Sequence, residues 1–181
     1  FSALNEPVWS RHDISIKTKM WVFNAVVMST LLYGCETWTL LATDIDMLEV
    51  FQHANLRSIL RISLRDRVRN DIVRKRCCEQ PLVADVIRKH RLRWFGHVCR
   101  MPESRLPRRL LLENKPPTWK CPRGAPKKQW KDQVLFDVKQ LGFISMNDAV
   151  NAAMNWRQWK AIQRDLMLAP TSGPALPYSR R

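Results

Sequence analysis

The stretch LVADVIRKHRLRWFGHVCRM, residues 82–101, decides the fold class of this 181-residue chain. Its apolar residues recur every three or four positions, the spacing that places them on one face of an α-helix. That face holds Val83, Val86, Ile87, Trp94, Val98 and Met101. Lys89, Arg93 and Arg100 cluster on another face, so the stretch predicts an amphipathic helix with a cationic side. Pro102 ends it, because the residue before a proline disfavours the helical conformation.

Helices are also predicted upstream of this stretch. The first follows Asp13, a residue type that caps helices, and ends near Tyr33-Gly34, where glycine permits the turn. The second begins at Thr43 and repeats the three-or-four spacing of apolar residues. Asn70 is predicted to cap a short helix that ends at Arg76. The run between the first two helices is short and aromatic and has no clear assignment.

The downstream part of the chain has the same helical character. A short helix is predicted around Leu106–Glu113, and another from Pro126 to a stop at Gly142. Ser145 with Asp148 resembles a capping box that opens a last helical region to about Leu168, broken near Asn155. Because no convincing strand alternation occurs, the prediction is an all-α fold, a helical bundle followed by a smaller helical C-terminal module and a disordered tail.

The positive charge of the chain is concentrated in its middle. The whole sequence has 31 Lys+Arg and 16 Asp+Glu, a formal net charge of +15 and a pI near 10.3. Residues 57–131 hold 22 of the basic and 6 of the acidic residues, and the remainder is almost balanced. A local excess of this size predicts a surface for a polyanion and argues against an ordinary metabolic enzyme.

Several classes of protein do not fit the sequence. Neither a secretory signal nor an apolar run long enough for a membrane span is present, and an odd number of irregularly spaced cysteines indicates reduced thiols. We therefore expect an intracellular protein, nuclear or cytoplasmic, that is not secreted and has no membrane partner. No carboxylate cluster, phosphate-binding glycine loop or activated nucleophile is recognisable, so we expect no catalytic residue and no cofactor.

Metal binding and core packing are alternatives for one set of residues. His90, His97 and Cys99, with Cys77 and Cys78 upstream, are zinc-ligand types, but no Cys-x-x-Cys spacing occurs. His90 projects onto the apolar face beside Trp94. We therefore expect a histidine at the edge of the core, buried thiols and no metal.

Nucleic-acid binding is the best-supported function from the residues alone. Basic side chains on helix faces and in connectors can reach phosphates of RNA or DNA without disturbing a core. The candidate contacts are Arg57, Arg61, Arg65, Arg67, Arg69, Lys89, Arg93, Arg100, Arg123, Lys127, Lys128 and Lys131. Trp119 could stack on an unpaired base, whereas periodicity favours core positions for Trp94, Trp130, Trp156 and Trp159.

The motif LLYGCETW stands at Leu31–Trp38. It looks like a hallmark of non-LTR (LINE-type) retrotransposon reverse transcriptases, just after the catalytic palm, and the resemblance covers roughly residues 4–165. The other motifs follow in the family's order. They are KTK at 17–19, NAVV at 24–27, RSILRI at 57–62, DRVRN at 66–70, RLRWFGHVCRMP at 91–102, RLPR at 105–108 and RGAPKKQWKD at 123–132.

The resemblance implies the thumb and C-terminal region of an endonuclease–reverse transcriptase. The polymerase aspartates of the family would lie upstream of Phe1, so this chain would contact template–primer, element RNA or target DNA without catalysis of its own. Its partners would be RNA or DNA and the polymerase palm and fingers. The resemblance makes residues 1–64 thumb-like. Composition and periodicity predict a basic helical region at 65–113, a proline-rich linker at 114–126, a C-terminal helical module at 127–168 and a disordered tail at 169–181. The alternative is a relic that is non-functional or acts as a protein-interaction module.

Overall fold

Residues 83–99 form a helix, as the periodicity predicts, and the elements on both sides of it are helical too. The computed structural model describes residues 1–112 and 129–168, with the backbone alone at 165–168. Every regular element in these ranges is a helix, which confirms the all-α prediction. The α-helices are α1 (Ile16–Val22), α2 (Ser29–Leu31), α3 (Ala42–Leu60), α4 (Asn70–Arg76), α5 (Val83–Cys99), α6 (Leu106–Leu112), α7 (Trp130–Gln140), α8 (Met146–Met154) and α9 (Trp156–Leu168).

Shorter helical segments complete the architecture. Phe23–Met28 is a π-helical segment between α1 and α2, and Asn5–Trp9 is another near the start of the chain. The run without a sequence assignment contains a 3-10 turn at Cys35–Thr37. Among the helices of the described ranges, none combines the length and the apolar character that a transmembrane segment needs.

The predicted helix ends agree with the structure at Gly142, Ser145 and Asn155. Ser145 Oγ accepts a hydrogen bond from Asp148 N (3.2 Å), Gly142 follows α7 with a φ of 87°, and a break at Asn155 separates α8 from α9. Two predicted caps were wrong. Ser15, not Asp13, caps α1, because its Oγ accepts from Thr18 N (3.1 Å).

The second incorrect cap is Asn70. It is the first residue of α4, with Arg69 at the N-cap, and its side-chain oxygen instead accepts a hydrogen bond from Arg57 Nη2 (2.9 Å). The start of α3 is one residue earlier than predicted. There, the Asp44 carboxylate accepts a hydrogen bond from Leu41 N (2.8 Å) and so satisfies a donor at the helix start.

The chain divides into two compact units, and one boundary between them falls within α5. Of the described residues, unit 1 comprises 1–34 and 40–86, and unit 2 comprises 35–39, 87–112 and 129–168. The region boundaries at 64 and 113 stay predictions. The predicted linker 114–126 and tail 169–181 lie outside the described residues.

An aromatic cluster and buried polar contacts hold unit 1. Trp9 stacks on Phe1 with ring centroids 5.0 Å apart and meets Phe23 edge-on at 6.5 Å. The buried Lys19 ammonium donates to the carbonyls of Trp9 (2.9 Å) and Arg11 (2.6 Å), which satisfies a charge that burial would otherwise penalise. These contacts fix the N-terminal segment against α1.

Trp159 is the centre of the unit 2 core. It is 2% exposed, and its indole Nε1 donates to the Leu92 carbonyl (3.0 Å), joining α9 to α5. Gly96 makes this approach possible, because a Cβ at Gly96 would lie 2.3 Å from that Nε1. The rest of this core is Phe95, Val98, Cys99, Leu111, Val134, Val138, Ala149 and Ala153.

A buried ion pair links α5 to α7 within unit 2. The Asp137 carboxylate lies 3.3 Å from Arg91 Nη1 and 3.6 Å from Arg88 Nε. The side chains of Arg91 and Asp137 are each 4% exposed. Part of the basic excess in the middle of the chain therefore serves the fold and not the surface.

Candidate nucleic-acid interface

An open cleft of about 430 Å³ lies in unit 2 on the cationic side of α5. We call it the α5 cleft. Two arginines, two histidines and two tryptophans line it together with one carboxylate. The lining residues are Glu36, His90, Arg93, Trp94, His97, Arg100 and Trp156.

Helix α5 supplies most of the polar lining because of its periodicity. Arg93, His97 and Arg100 are spaced by four and three residues, so they project toward one side of the helix. Arg93 and His97 are exposed. Within residues 1–112 and 129–168, Arg93 makes no hydrogen bond or ion pair, so its guanidinium is free to bind a ligand.

Arg100 is held in place by the neighbouring helix. Its Nη1 donates to the Ala153 carbonyl (2.6 Å), which lies in the last turn of α8 and lacks an intrahelical partner. The guanidinium keeps its charge and its other donors while one donor is fixed. Arg100 therefore has a structural role in addition to its place in the cleft wall.

A second open cleft of about 440 Å³ adjoins the first. It shares His97 and Arg100 with the α5 cleft and adds Met101, Pro102 and the exposed Arg105. We call it the adjoining cleft. Together the two clefts make a cationic path from Arg93 on α5 to Arg100 and Arg105, which follow the helix.

Trp156 departs from the prediction for the tryptophans. Trp159 is buried, and the partly buried Trp94 and Trp130 pack against the core, as predicted. Trp156, however, is 55% exposed at the cleft, with Lys160 Nζ 4.9 Å from its ring centroid. The reason is local, because the Asn155 side chain accepts from the backbone N–H of two following residues and makes Trp156 the first residue of α9.

The turn Cys35–Thr37 brings Glu36 to the cleft. The Glu36 carbonyl accepts a hydrogen bond from Trp130 Nε1 (2.7 Å), which ties this turn to α7 within unit 2. Periodicity alone could not predict this placement, because the hydrogen bond joins residues far apart in the sequence. The resemblance did single out the motif that contains Glu36, but not its position.

Metal-ligand types also meet at the cleft. One ligand atom from each of Cys35, Glu36 and His90 lies within 4.8 Å of the other two. Burial raises the pKa of the Cys35 thiol to about 11, so a metal would have to displace its proton. The positive charge of Arg93 and Arg100 beside the group further opposes a cation. The arrangement therefore favours an anionic ligand over a metal ion.

The candidate zinc ligands differ in burial from the prediction. Cys77 and Cys99 are buried, as expected, but Cys78 is exposed. His90 is exposed and is not a core-edge residue, because it lies at the open side of the cleft. Among the described residues, the structure groups His90 with Cys35 and Glu36.

In unit 1, the predicted phosphate contacts fall into two groups. Arg57 donates to the Val68 carbonyl as well as to Asn70, and Arg61 donates to the Ser10 carbonyl and to His12 Nε2 (2.8 Å). Both arginines thus hold unit 1 together. Arg65, Arg67 and Arg69 are exposed, and Arg69 lies 3.3 Å from the Asp71 carboxylate.

The remaining predicted contacts lie in the second half of the chain. Lys89 is exposed on α5 and Lys131 is half-buried on α7. Arg123, Lys127, Lys128 and the proposed stacking residue Trp119 lie outside the described residues. Sequence reasoning missed His97 and Trp156 as site residues, although the α5 periodicity already places His97 beside Arg93 and Arg100.

Comparison with known proteins gives one relevant similarity. A protein of Caenorhabditis elegans, named as an uncharacterized transposon-derived protein, is 29% identical over 126 residues, 67% of this chain. The aligned part is 44% of that relative, so the chain spans less than half of its length. No protein-family model and no solved structure matches the chain significantly. The similarity links the sequence with a transposon-derived protein.

Proposed function

We propose that this chain is a nucleic-acid-binding part of a transposon-derived protein, from the reverse transcriptase of a LINE-type element. It contacts RNA or DNA through phosphates and carries no polymerase active site of its own. The single observation that carries the proposal is the cationic, tryptophan-lined α5 cleft. The transposon-derived relative and the ordered reverse-transcriptase motifs support the same origin.

The chemistry of the cleft suits a polyanion. Guanidinium groups bind phosphate oxygens with paired, charge-assisted hydrogen bonds, and Arg93 is free to do so. Among residues 1–112 and 129–168, Glu36 is the only acidic side chain that lines either cleft. Each phosphate that the protein neutralises releases a counterion, so affinity falls with salt by a log–log slope of about −0.9 per contact on duplex DNA.

A charge-reversal pair tests the proposal. Lys89→Glu with Arg93→Glu changes two exposed residues of the cationic side of α5. We expect weaker binding to RNA and DNA in filter-binding titrations at several salt concentrations, and a duplex salt slope that is shallower by about 1.8. Arg100 is left unchanged because a substitution would also remove its hydrogen bond to the Ala153 carbonyl. An effect on the fold could then not be separated from an effect on binding.

The matched control carries the same change in net charge elsewhere. Lys17→Glu with Lys139→Glu alters two exposed lysines that are not among the described lining residues of either cleft. It should retain most of the affinity. Equal loss in both pairs, absent binding or salt-independent binding would contradict the proposal and favour a relic or a protein-interaction module. Primer extension by the isolated chain should give no product.

A further inference from the structure

We infer that the α5 cleft receives an unpaired nucleobase from a single strand of RNA or DNA. The base would stack on Trp156, and the phosphates on either side would contact Arg93 and the adjoining cleft. This inference rests on the proposed function and adds the form of nucleic acid that the cleft accepts. It makes Trp156 a binding residue, which neither periodicity nor the sequence motifs indicated.

Trp156 exposes its indole ring on the surface of unit 2. The Trp156 side chain is 55% exposed, so it lacks the hydrophobic stabilisation that the buried Trp159 gains. Aromatic rings on a cationic surface are the usual platform for unpaired bases, since every base offers a π-face. Lys160 Nζ lies over the ring, 4.9 Å from its centroid, and adds a cation beside this platform.

The lining of the cleft around that ring is aromatic as well as cationic. Trp94 and His97 form an aromatic pair in it, with ring centroids 5.4 Å apart. A volume of about 430 Å³ lies within the range of small-molecule sites. A base in an intact duplex is already stacked and paired, so only an unpaired base can enter such a recess without a cost for unstacking.

The backbone of a bound strand has a path beyond the α5 cleft. The adjoining cleft shares His97 and Arg100 with the α5 cleft and adds the exposed Arg105. A strand with one base in the α5 cleft therefore finds further cations at Arg100 and Arg105, which follow α5 in the sequence. This continuity is what a strand needs and what an isolated small anion would not require.

The experiment compares three probes of about 15 nucleotides by fluorescence anisotropy: single-stranded RNA, single-stranded DNA and duplex DNA. Trp156→Ala should weaken binding of one or both single strands by about 5- to 150-fold while duplex binding stays unchanged. Trp156→Phe should retain most of the single-strand affinity because it keeps a ring. Trp21→Ala removes a tryptophan of unit 1 that is 71% exposed and should change nothing.

The outcomes separate this inference from the proposed function. If the unaltered protein binds no nucleic acid, the proposed function itself fails. If it binds normally and Trp156→Ala has no effect, or weakens single strands and duplex equally, the base-binding inference alone is overturned. Circular dichroism of Trp156→Ala should match the unaltered protein, since the removed side chain is mostly exposed.

Discussion

Gly96→Ala tests the packing that positions the α5 cleft. The new Cβ would lie 2.3 Å from Trp159 Nε1 and 2.4 Å from its Cδ1, whereas unstrained non-bonded atoms keep about 3.5 Å. Neither atom is the end of a flexible chain, since both belong to an indole that is buried in the core. The indole must therefore move and lose its bond to the Leu92 carbonyl.

Two effects of Gly96→Ala lower the free energy of unfolding and one raises it. Overpacking of a core costs about 1–3 kcal/mol, and a buried donor left without its acceptor costs about 1–3 kcal/mol. Alanine regains about 1 kcal/mol over glycine in helix propensity. The net expectation is a loss of about 1–5 kcal/mol in the free energy of unfolding of unit 2.

Urea denaturation followed by circular dichroism and tryptophan fluorescence measures this loss. A double-mutant cycle with Trp159→Leu provides the control, because the shorter side chain removes the clash. The two substitutions together should cost less than the sum of the single variants. Stability of Gly96→Ala at or above that of the unaltered protein, as helix propensity alone predicts, would refute the packing argument.

Two further predictions concern buried groups. Asp137→Asn leaves the Arg91 guanidinium buried without its counter-ion and should cost about 3–5 kcal/mol in the same denaturation assay; a loss below about 0.5 kcal/mol would contradict it. Burial raises the pKa of three thiols from 9.0 to about 11, those of Cys35, Cys77 and Cys99. The buried, protonated thiols contribute fully to the free energy of unfolding below pH 9. This contribution is lost as the pH rises toward 11, because the thiols of the unfolded chain ionise at a lower pH and so stabilise the unfolded state. Cys99→Ala should reduce the slope of the unfolding free energy against pH, above pH 9, by up to about 1.4 kcal/mol per pH unit. An unchanged slope would contradict this prediction.

Most of the helical architecture can be predicted from local sequence, since its determinants are local. The periodicity of residues 82–101 predicts α5, and Ser145 with Asp148 predicts the start of α8 because both partners of the cap lie within one turn. Where two neighbouring residues could both cap a helix, as with Asp13 and Ser15, composition alone cannot choose between them.

The candidate site is less predictable because its geometry depends on distant partners. The sequence shows that Arg93 and Arg100 share a helix face, but not that Arg100 binds a carbonyl 53 residues away. Trp156 and Trp159 are three residues apart and share a periodic pattern, yet the cap at Asn155 exposes one and α5 buries the other. Arg100 and Trp159 thus depend on tertiary contacts that no local pattern contains, whereas Trp156 depends on a local cap that apolar periodicity does not reveal.

The arginines that donate to backbone carbonyls have a consequence for how this sequence can vary. Arg57, Arg61, Arg100 and Arg108 each bond a carbonyl of another segment, and a guanidinium does so with a planar fork that an ammonium lacks. Lysine preserves the charge at these positions but not the fork. Exchange between the two basic residues therefore disturbs the fold at these four positions. At the exposed Arg93 or Arg105 the fold tolerates it, and only the paired hydrogen bonds to a bound phosphate are lost.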